Sequence, residues 1–230
     1  MVDTNDEWIV KRTGIKTRRI AREDEFTTNM CLSAVRDLIH RYPSVTLDDI
    51  DLVIGCTHTP DYPFPGVSNR VQYKLGLKQA GAFDLNATCA GFVYGLHIAG
   101  GLIQAGLHRK VLVLAGDTMS KITDYTDRSN CILFGDGAGA AIVEAGEEQT
   151  FLGAKVISHG EGGIHVHRIG LSSTMDGIAL GGGGKFVQNG REVYKYAVST
   201  VPGGMEAVAE AAGVPLAAVD WFVPHSANLR

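Results

Sequence analysis

The chain has 230 residues, 45% hydrophobic and 20% charged, with a formal net charge of −4. This balance suits one or two globular domains with a sizeable core and argues against a large nucleic-acid surface. No apolar run reaches the roughly 18 residues of a membrane span and no basic-then-apolar leader is visible. Cys31, Cys56, Cys89 and Cys131 form no CxxC, so the reading is a reducing cytoplasm rather than a zinc ribbon or disulfide scaffold.

Residues 1–25 are charged and lack a clean period. Thr4 is the expected cap of a short helix ending near Gly14. Arg12, Lys16, Arg18, Arg19 and Arg22 form a basic cluster, which is either a solvated face or a site for phosphate or an acidic partner. Trp8 beside Arg12 offers a ring for stacking. Residues 27–42 predict a helix with Met30, Ala34, Val35, Leu38 and Ile39 on one face, stopped by Pro43. Asp51–Gly55 reads as a short buried strand. Pro60, Pro63, Pro65 and Gly66 make a rigid loop carrying Tyr62 and Phe64 outward, and Val67–Leu75 reads as a helix closed by Gly76.

Ala82–Leu85 is expected to be a buried strand. A small-residue turn follows, and then Phe92, Leu96, Ala99, Ile103 and Leu107 recur at helical spacing. Cys89 therefore falls at a strand-to-helix turn, where unpaired N–H groups and the helix dipole favour a thiolate. A small buried cysteine is the alternative there. Gly91, Gly95, Gly100 and Gly101 weaken the helix, and their expected return is close approach, which places it deep in the protein.

Val111–Ala115 is a continuous apolar run, the mark of a strand covered on both faces. Asp124–Arg128 is a polar loop. Phe134–Val143 reads as a tight glycine turn into a strand; without a Lys-Ser/Thr ending or a GxGxxG pattern, a phosphate cradle there is weakly supported. From Gly146 the composition shifts, and the segment between Gly160 and Gly184 is read as a surface insertion. His159, His165 and His167 lack an acidic partner, so no metal site is assigned to them. Residues 192–212 predict a helix interrupted by Pro202-Gly203-Gly204, and Trp221–Val223 a strand running into His225.

One pattern occurs twice. Leu47-Asp48-Asp49-Ile50-Asp51-Leu52-Val53-Ile54 and Leu216-Ala217-Ala218-Val219-Asp220-Trp221-Phe222-Val223 both read Leu-x-x-aliphatic-Asp and then three apolar residues. The repeat suggests two similar α/β halves. The first runs over 1–147 and contains Cys89; the second, 148–230, carries His225 and has only begun its helix-strand order, so a fragment of a longer chain is expected.

Four motifs complete the reading: Asp3-Thr4-x-Asp6-Glu7-Trp8-Ile9 with Arg12-Thr13-Gly14-Ile15, Asn86-Ala87-Thr88-Cys89-Ala90-Gly91-Phe92, Phe134-Gly135-Asp136-Gly137-Ala138-Gly139-Ala140, and Val223-Pro224-His225-Ser226-Ala227-Asn228-Leu229-Arg230. In this order they closely resemble β-ketoacyl-acyl carrier protein synthase III, of the thiolase-like superfamily. The resemblance implies a duplicated α-β-α-β-α layered fold whose second half is incomplete here. It implies a condensing enzyme of fatty acid biosynthesis, in which Cys89 takes an acyl group from an acyl-CoA. Malonyl-acyl carrier protein then loses carbon dioxide and its carbanion attacks the acyl-cysteine.

The same resemblance makes His225 the catalytic histidine, donating to the malonyl thioester oxygen, and the Cys89 N–H part of an oxyanion hole. Trp8 and Arg128 would sandwich the adenine of coenzyme A, with Arg12 and Asn228 assisting. Ser226, Ala227, Asn228, Leu229 and Arg230 would dock the carrier protein, and Phe64 would reach the acyl pocket of the second subunit of a homodimer. No cofactor is held permanently; the coenzyme A thioester is a substrate. The family's second oxyanion-binding side chain (an asparagine beyond the histidine), its glycine-rich C-terminal loop and its leading strand have no counterpart, and Ser226 stands where many members carry glutamine. The chain is therefore expected to be catalytically incomplete. Another thiolase-like acyltransferase, or a fragment that only binds coenzyme A or carrier protein, is the alternative.

Overall fold

Val111, Leu112, Val113 and Leu114 are fully enclosed and form the middle of β3 (Lys110–Thr118). The computed structural model describes residues 2–227. Strand β3 lies between β1 (Leu52–Cys56) and β4 (Asp136–Glu144), with β2 (Gly81–Leu85) beyond β1, giving the order β2-β1-β3-β4. Strand β1 is parallel to both β2 and β3, whereas β4 runs antiparallel to β3.

Alternation along the strands sorts the core into two layers. Val53, Leu112 and Leu114 meet Cys31, Leu32 and Val35 of α2 (Thr27–Arg41) and Val67 and Val71 of α3 (Val67–Leu75). Leu52, Ile54, Cys56, Val111 and Val113 pack with Ala99 of α4 (Gly91–Gln104) on the other face. Both faces of β1 and β3 are thus covered, as their apolar runs predict. Each such aliphatic side chain contributes about 1.5–3 kcal/mol on burial.

Local capping fixes the helix ends. Helix α1 (Asp6–Thr13) begins at Asn5, whose side chain accepts the Trp8 N–H, and ends at left-handed Gly14. Asn5 takes the cap from Thr4 because its carboxamide reaches the N–H three residues on. Helix α3 is capped from outside: the Asp84 carboxylate of β2 accepts the Val67 N–H at 2.7 Å, the Ser68 N–H at 2.8 Å and the Ser68 hydroxyl at 2.6 Å.

Five expectations change. Strand β2 is not buried: it is the edge of the sheet among the described residues, and Phe83 is 38% exposed. Helix α4 buries only the stripe of Gly91, Gly95, Ala99 and Gly100, leaves Phe92 and Val93 exposed, and ends before Leu107. Gly137 and Gly139 lie within β4, paired with β3 from Thr118↔Asp136 onward, so the expected strand forms but these two glycines belong to it and not to a turn or phosphate cradle; Gly135 precedes it. Helix α6 (Gly190–Ala211) continues through Pro202; one missing N–H leaves most of its 22-residue ladder intact. Trp221–Val223 forms no strand, because no described segment pairs with it, and Trp221 and Val223 stand 85% and 88% exposed.

The chain divides into two compact units. One, residues 19–120 and 135–151, contains the four-stranded sheet with α2, α3 and α4. The other comprises 1–18, 121–134 and 152–230. It holds α1, α6, the pair β5 (Val166–His167) with β8 (Val187–Gln188), and the hairpin β6 (Thr174–Met175) with β7 (Ile178–Ala179). The one-turn helix α5 (Met119–Ile122) is the covalent passage between them after β3.

Candidate active site

The carboxyl ends of β1, β2 and β3 lie side by side, the place where open parallel sheets present their chemistry. Beyond β2, a single 3₁₀ turn, Thr88–Ala90, leads directly into α4 and carries Cys89. Thr88 has a positive φ of 46°, unusual for a β-branched residue. Such strain, on the order of 1–3 kcal/mol, persists where packing over-determines it. Here the Thr88 N–H donates to Asn86 Oδ1 at 3.4 Å, the Ala90 N–H to the Ala87 carbonyl at 3.1 Å, and Gly91 packs on Cys56. The close approach is real at Gly95, where a Cβ would lie 2.6 Å from Cys56 Sγ and 2.9 Å from Val113 Cγ1.

Cys89 is exposed, whereas Cys31 and Cys56 are buried and Cys131 is half-buried. Surrounding protein nevertheless pushes the Cys89 thiol above its ordinary value; Asp117 adds to this, and only its own backbone N–H works the other way. The expected thiolate at the helix start is thus not the resting form: desolvation and a carboxylate outweigh the local N–H. Burial pushes Cys31 up to about 12 and Cys56 up to about 11. Of these thiols, Cys89 combines exposure with a strand-to-helix turn.

Asp117, at the end of β3, is a hub that the residue pattern does not single out. Its Oδ1 accepts the Thr57 hydroxyl at 3.0 Å, the His58 N–H at 3.0 Å, the Thr59 N–H at 3.2 Å and the Thr59 hydroxyl at 2.8 Å. Burial alone would raise this carboxyl, but the His58 side chain and N–H, with Thr59, hold it below the usual carboxylate range. An aspartate closing an apolar strand is the signal that marks it. Asp136 of β4 acts similarly, accepting the Ala21 N–H at 2.7 Å, the Ser120 N–H at 2.7 Å and the Ser120 hydroxyl at 2.5 Å.

In the other unit, helical spacing puts Trp8 and Arg12 on one face of α1, with Arg12 Cζ 5.0 Å from the Trp8 ring centroid. Arg128 Cζ lies 4.8 Å from the same ring. The loop carrying Arg128 is shaped by side-chain turns, Thr126 on Asp124 and Ser129 on Asp127. Three of the four expected coenzyme A residues therefore meet; Asn228 lies outside the described residues. The rest of the basic cluster is partly structural: Arg18 donates to the Ile132 carbonyl, and Arg22 pairs with Asp24 and Glu25.

His225, Ser226 and Ala227 occupy an exposed irregular segment after Pro224, in which the Ala227 N–H donates to the His225 carbonyl at 2.9 Å. Leu229 and Arg230, like Asn228, lie outside the described residues. Phe64 is 86% exposed on the loop between β1 and α3. Among the described residues no group of three or more His, Cys, Asp or Glu side chains could hold a metal ion, and no helix is long and apolar enough to cross a membrane.

A sheet covered by helices on both faces, with an exposed cysteine on the turn from strand to helix, is the arrangement of the thiolase-like fold. The family model for 3-oxoacyl-[acyl-carrier-protein (ACP)] synthase III matches residues 83–160. The β-ketoacyl-[acyl-carrier-protein] synthase III 2 of Halalkalibacterium halodurans is 57% identical over 100% of this chain and 69% of its own length. That of Bacillus subtilis is 54% identical over 100% of this chain and 71% of its own length. The crystal structure of the Thermus thermophilus synthase III superposes with a TM-score of 0.95 at 41% identity, covering 100% of this chain and 71% of that one. The chain belongs to the β-ketoacyl-[acyl-carrier-protein] synthase III family.

Proposed function

We propose that this chain performs the decarboxylative condensation that opens fatty acid synthesis, with Cys89 as its nucleophile. The enzyme is an acyltransferase. The Cys89 sulfur attacks the carbonyl of an acyl-CoA; the new C–S bond replaces the old one, and coenzyme A leaves with the proton. Malonyl-acyl carrier protein then loses carbon dioxide. Its carbanion forms a carbon–carbon bond to the acyl carbon, and the Cys89 sulfur is released as the β-ketoacyl-acyl carrier protein forms.

The observation that carries this reading is the exposed Cys89 on the strained turn at the carboxyl end of the sheet, in a chain that matches its family along its whole length. Because the resting thiol is raised, a base must take its proton before attack. His225 serves the second half-reaction, donating to the malonyl thioester oxygen as charge develops. The Cys89 N–H supplies part of the oxyanion hole. Trp8 and Arg128, in contact in this structure, part to take the adenine of coenzyme A between them, with Arg12 and Asn228 assisting. Residues 226–230 dock the carrier protein. Phe64, exposed on its loop, enters the partner subunit's acyl pocket in a cytoplasmic homodimer.

Mass spectrometry after mixing with acetyl-CoA tests the reading. An acetyl adduct on the Cys89 peptide is the expected result. Binding of acetyl-CoA without an adduct overturns the nucleophile assignment and leaves a coenzyme A-binding protein.

A further inference from the structure

We propose that Asp84 is a positioning residue for acyl-chain selection: its carboxylate clamps the start of α3 to β2, fixes the loop of residues 57–66, and so sets where Phe64 stands. The proposal rests on the reading of Phe64 as a residue that enters the partner subunit's acyl pocket.

Asp84 is the charged residue of β2, Gly81-Ala82-Phe83-Asp84-Leu85. Its Oδ2 accepts the Val67 N–H at 2.7 Å, and its Oδ1 accepts the Ser68 N–H at 2.8 Å and the Ser68 hydroxyl at 2.6 Å. Charge-assisted bonds of this kind are roughly twice as strong as neutral ones, and the positive end of the α3 dipole favours the carboxylate further. Space is cleared for it on two sides. A Cβ on Gly66 would lie 2.7 Å from Asp84 Cγ, and one on Gly55 would lie 2.7 Å from Asp84 Oδ1. Glycine at both positions lets β1, the carboxylate and the end of the loop meet.

The loop is held at its other points as well, so the clamp completes a frame. At its start, Asp117 gathers the Thr57 hydroxyl, the His58 N–H and both donors of Thr59, and the Thr57 N–H donates to the Leu85 carbonyl of β2 at 3.1 Å. Further on, Asp61 accepts the Thr28 N–H of α2 at 3.0 Å. Beside the clamp, the Asn69 side chain accepts the Gly66 N–H at 3.2 Å and donates to the Ala82 carbonyl at 3.1 Å. Residues 62–65 alone span from Asp61 to Gly66; all are exposed, and Pro63 and Pro65 have a fixed φ. Phe64 thus projects, 86% exposed, from a short stiff arch.

A plain helix cap would account for the bonds to Val67 and Ser68. It would not account for their place. Asp84 stands on the strand that runs on into the Cys89 turn, so one five-residue strand holds both the nucleophile of its own subunit and the Phe64 offered to the partner. With the clamp released, the arch is tied only at its Asp61 end, Phe64 draws back, and the acyl pocket deepens. Longer acyl chains then gain most, because an apolar pocket discriminates chain length by the methylenes it can enclose.

The test is a competition between equimolar acetyl-CoA and hexanoyl-CoA, with both adducts on the Cys89 peptide of the full chain measured at early times by mass spectrometry. Phe64→Ala and Asp84→Asn should both raise the hexanoyl-to-acetyl ratio, Asp84→Asn by roughly threefold or more. Ser68→Ala, which removes one of the three donors, should raise it less. Val71→Ala removes packing beneath α3 and leaves the clamp in place; it should lower the thermal midpoint and leave the ratio at the wild-type value. An unchanged ratio in folded Asp84→Asn, where Phe64→Ala moves it, overturns the proposal. So does a shift in Val71→Ala equal to that in Asp84→Asn, which would make Asp84 a stability residue only. If Asp84→Asn fails to fold, the contrast between Ser68→Ala and Val71→Ala decides. A ratio unmoved by Phe64→Ala overturns the pocket reading of Phe64 and the proposal with it. Absence of any adduct on the wild type overturns the assignment of Cys89 as nucleophile, and the proposal falls with that reading.

Discussion

Gly95 and Cys56 meet so closely that a single added carbon on Gly95 would lie 2.6 Å from the Cys56 sulfur. Helix α4 is thereby seated closely on the side chains of β1 and β3. Gly95→Ala would gain about 1 kcal/mol in helix propensity, but overpacking costs typically 1–3 kcal/mol. The expected result is net destabilisation by up to about 2 kcal/mol, read as a lowered urea midpoint with an unchanged slope. A midpoint equal to or above wild type would show that the helix can lift off β1 freely.

Cys89→Ala should abolish acyl loading while leaving the fold intact, because the residue is exposed and the change removes a single sulfur. Loading of the wild type should rise with pH. The thiol is raised above its ordinary value, so its reactive thiolate is scarce at neutral pH and accumulates only as pH climbs through and beyond the ordinary thiol range. Single-turnover acetylation followed by intact mass gives this profile; a plateau already reached at neutral pH would contradict it.

His225→Ala should spare loading and slow condensation by roughly 10²–10³, the scale for losing one preorganised donor to developing negative charge. Separate assays of acetyl-enzyme formation and of β-ketoacyl product give the comparison. An equal loss in both steps would remove His225 from the role assigned to it.

Trp8→Ala should weaken coenzyme A binding about tenfold, since aromatic stacking and the arginine–indole contacts together supply roughly 1–2 kcal/mol. Titration by calorimetry reads this directly. Trp8→Phe should recover part of the loss because a flat face remains. Equal weakening in both variants would argue against stacking.

Asp117 makes stability depend on acid. Its carboxyl titrates below the usual range when folded, so the unfolded chain binds the proton more readily. The stabilisation is fully present above the unfolded carboxylate value and is lost as pH falls through the folded one. Thermal midpoints measured downward from pH 5 should therefore fall in the wild type and fall less steeply in Asp117→Asn.

Much of this organisation is legible in the residues. The helices Thr27–Arg41 and Val67–Leu75, the covered strand at Val111 and the turn at Cys89 follow from periodicity, glycine and proline placement and small-residue clustering, all of which act locally. The family resemblance, rather than any motif read from the residues, singles out Arg128 beside Trp8, and the structure brings the two together from positions far apart in the chain. The donors gathered at Asp84, Asp117 and Asp136 are not legible, because they come from segments brought close only by folding.

The repeated octad separates what sequence fixes from what the fold decides. In both copies the backbone makes the same local bond, Ile50 N–H to the Leu47 carbonyl and Val219 N–H to the Leu216 carbonyl, each at 3.2 Å. The same residue pattern gives the same turn. In the first copy Leu52–Ile54 acquires strands on either side and becomes the buried centre of a sheet. In the second, Trp221–Val223 has no pairing strand among the described residues and stays exposed. A turn needs only its own four residues; a strand exists through the hydrogen bonds of its neighbours, which no single stretch of sequence contains.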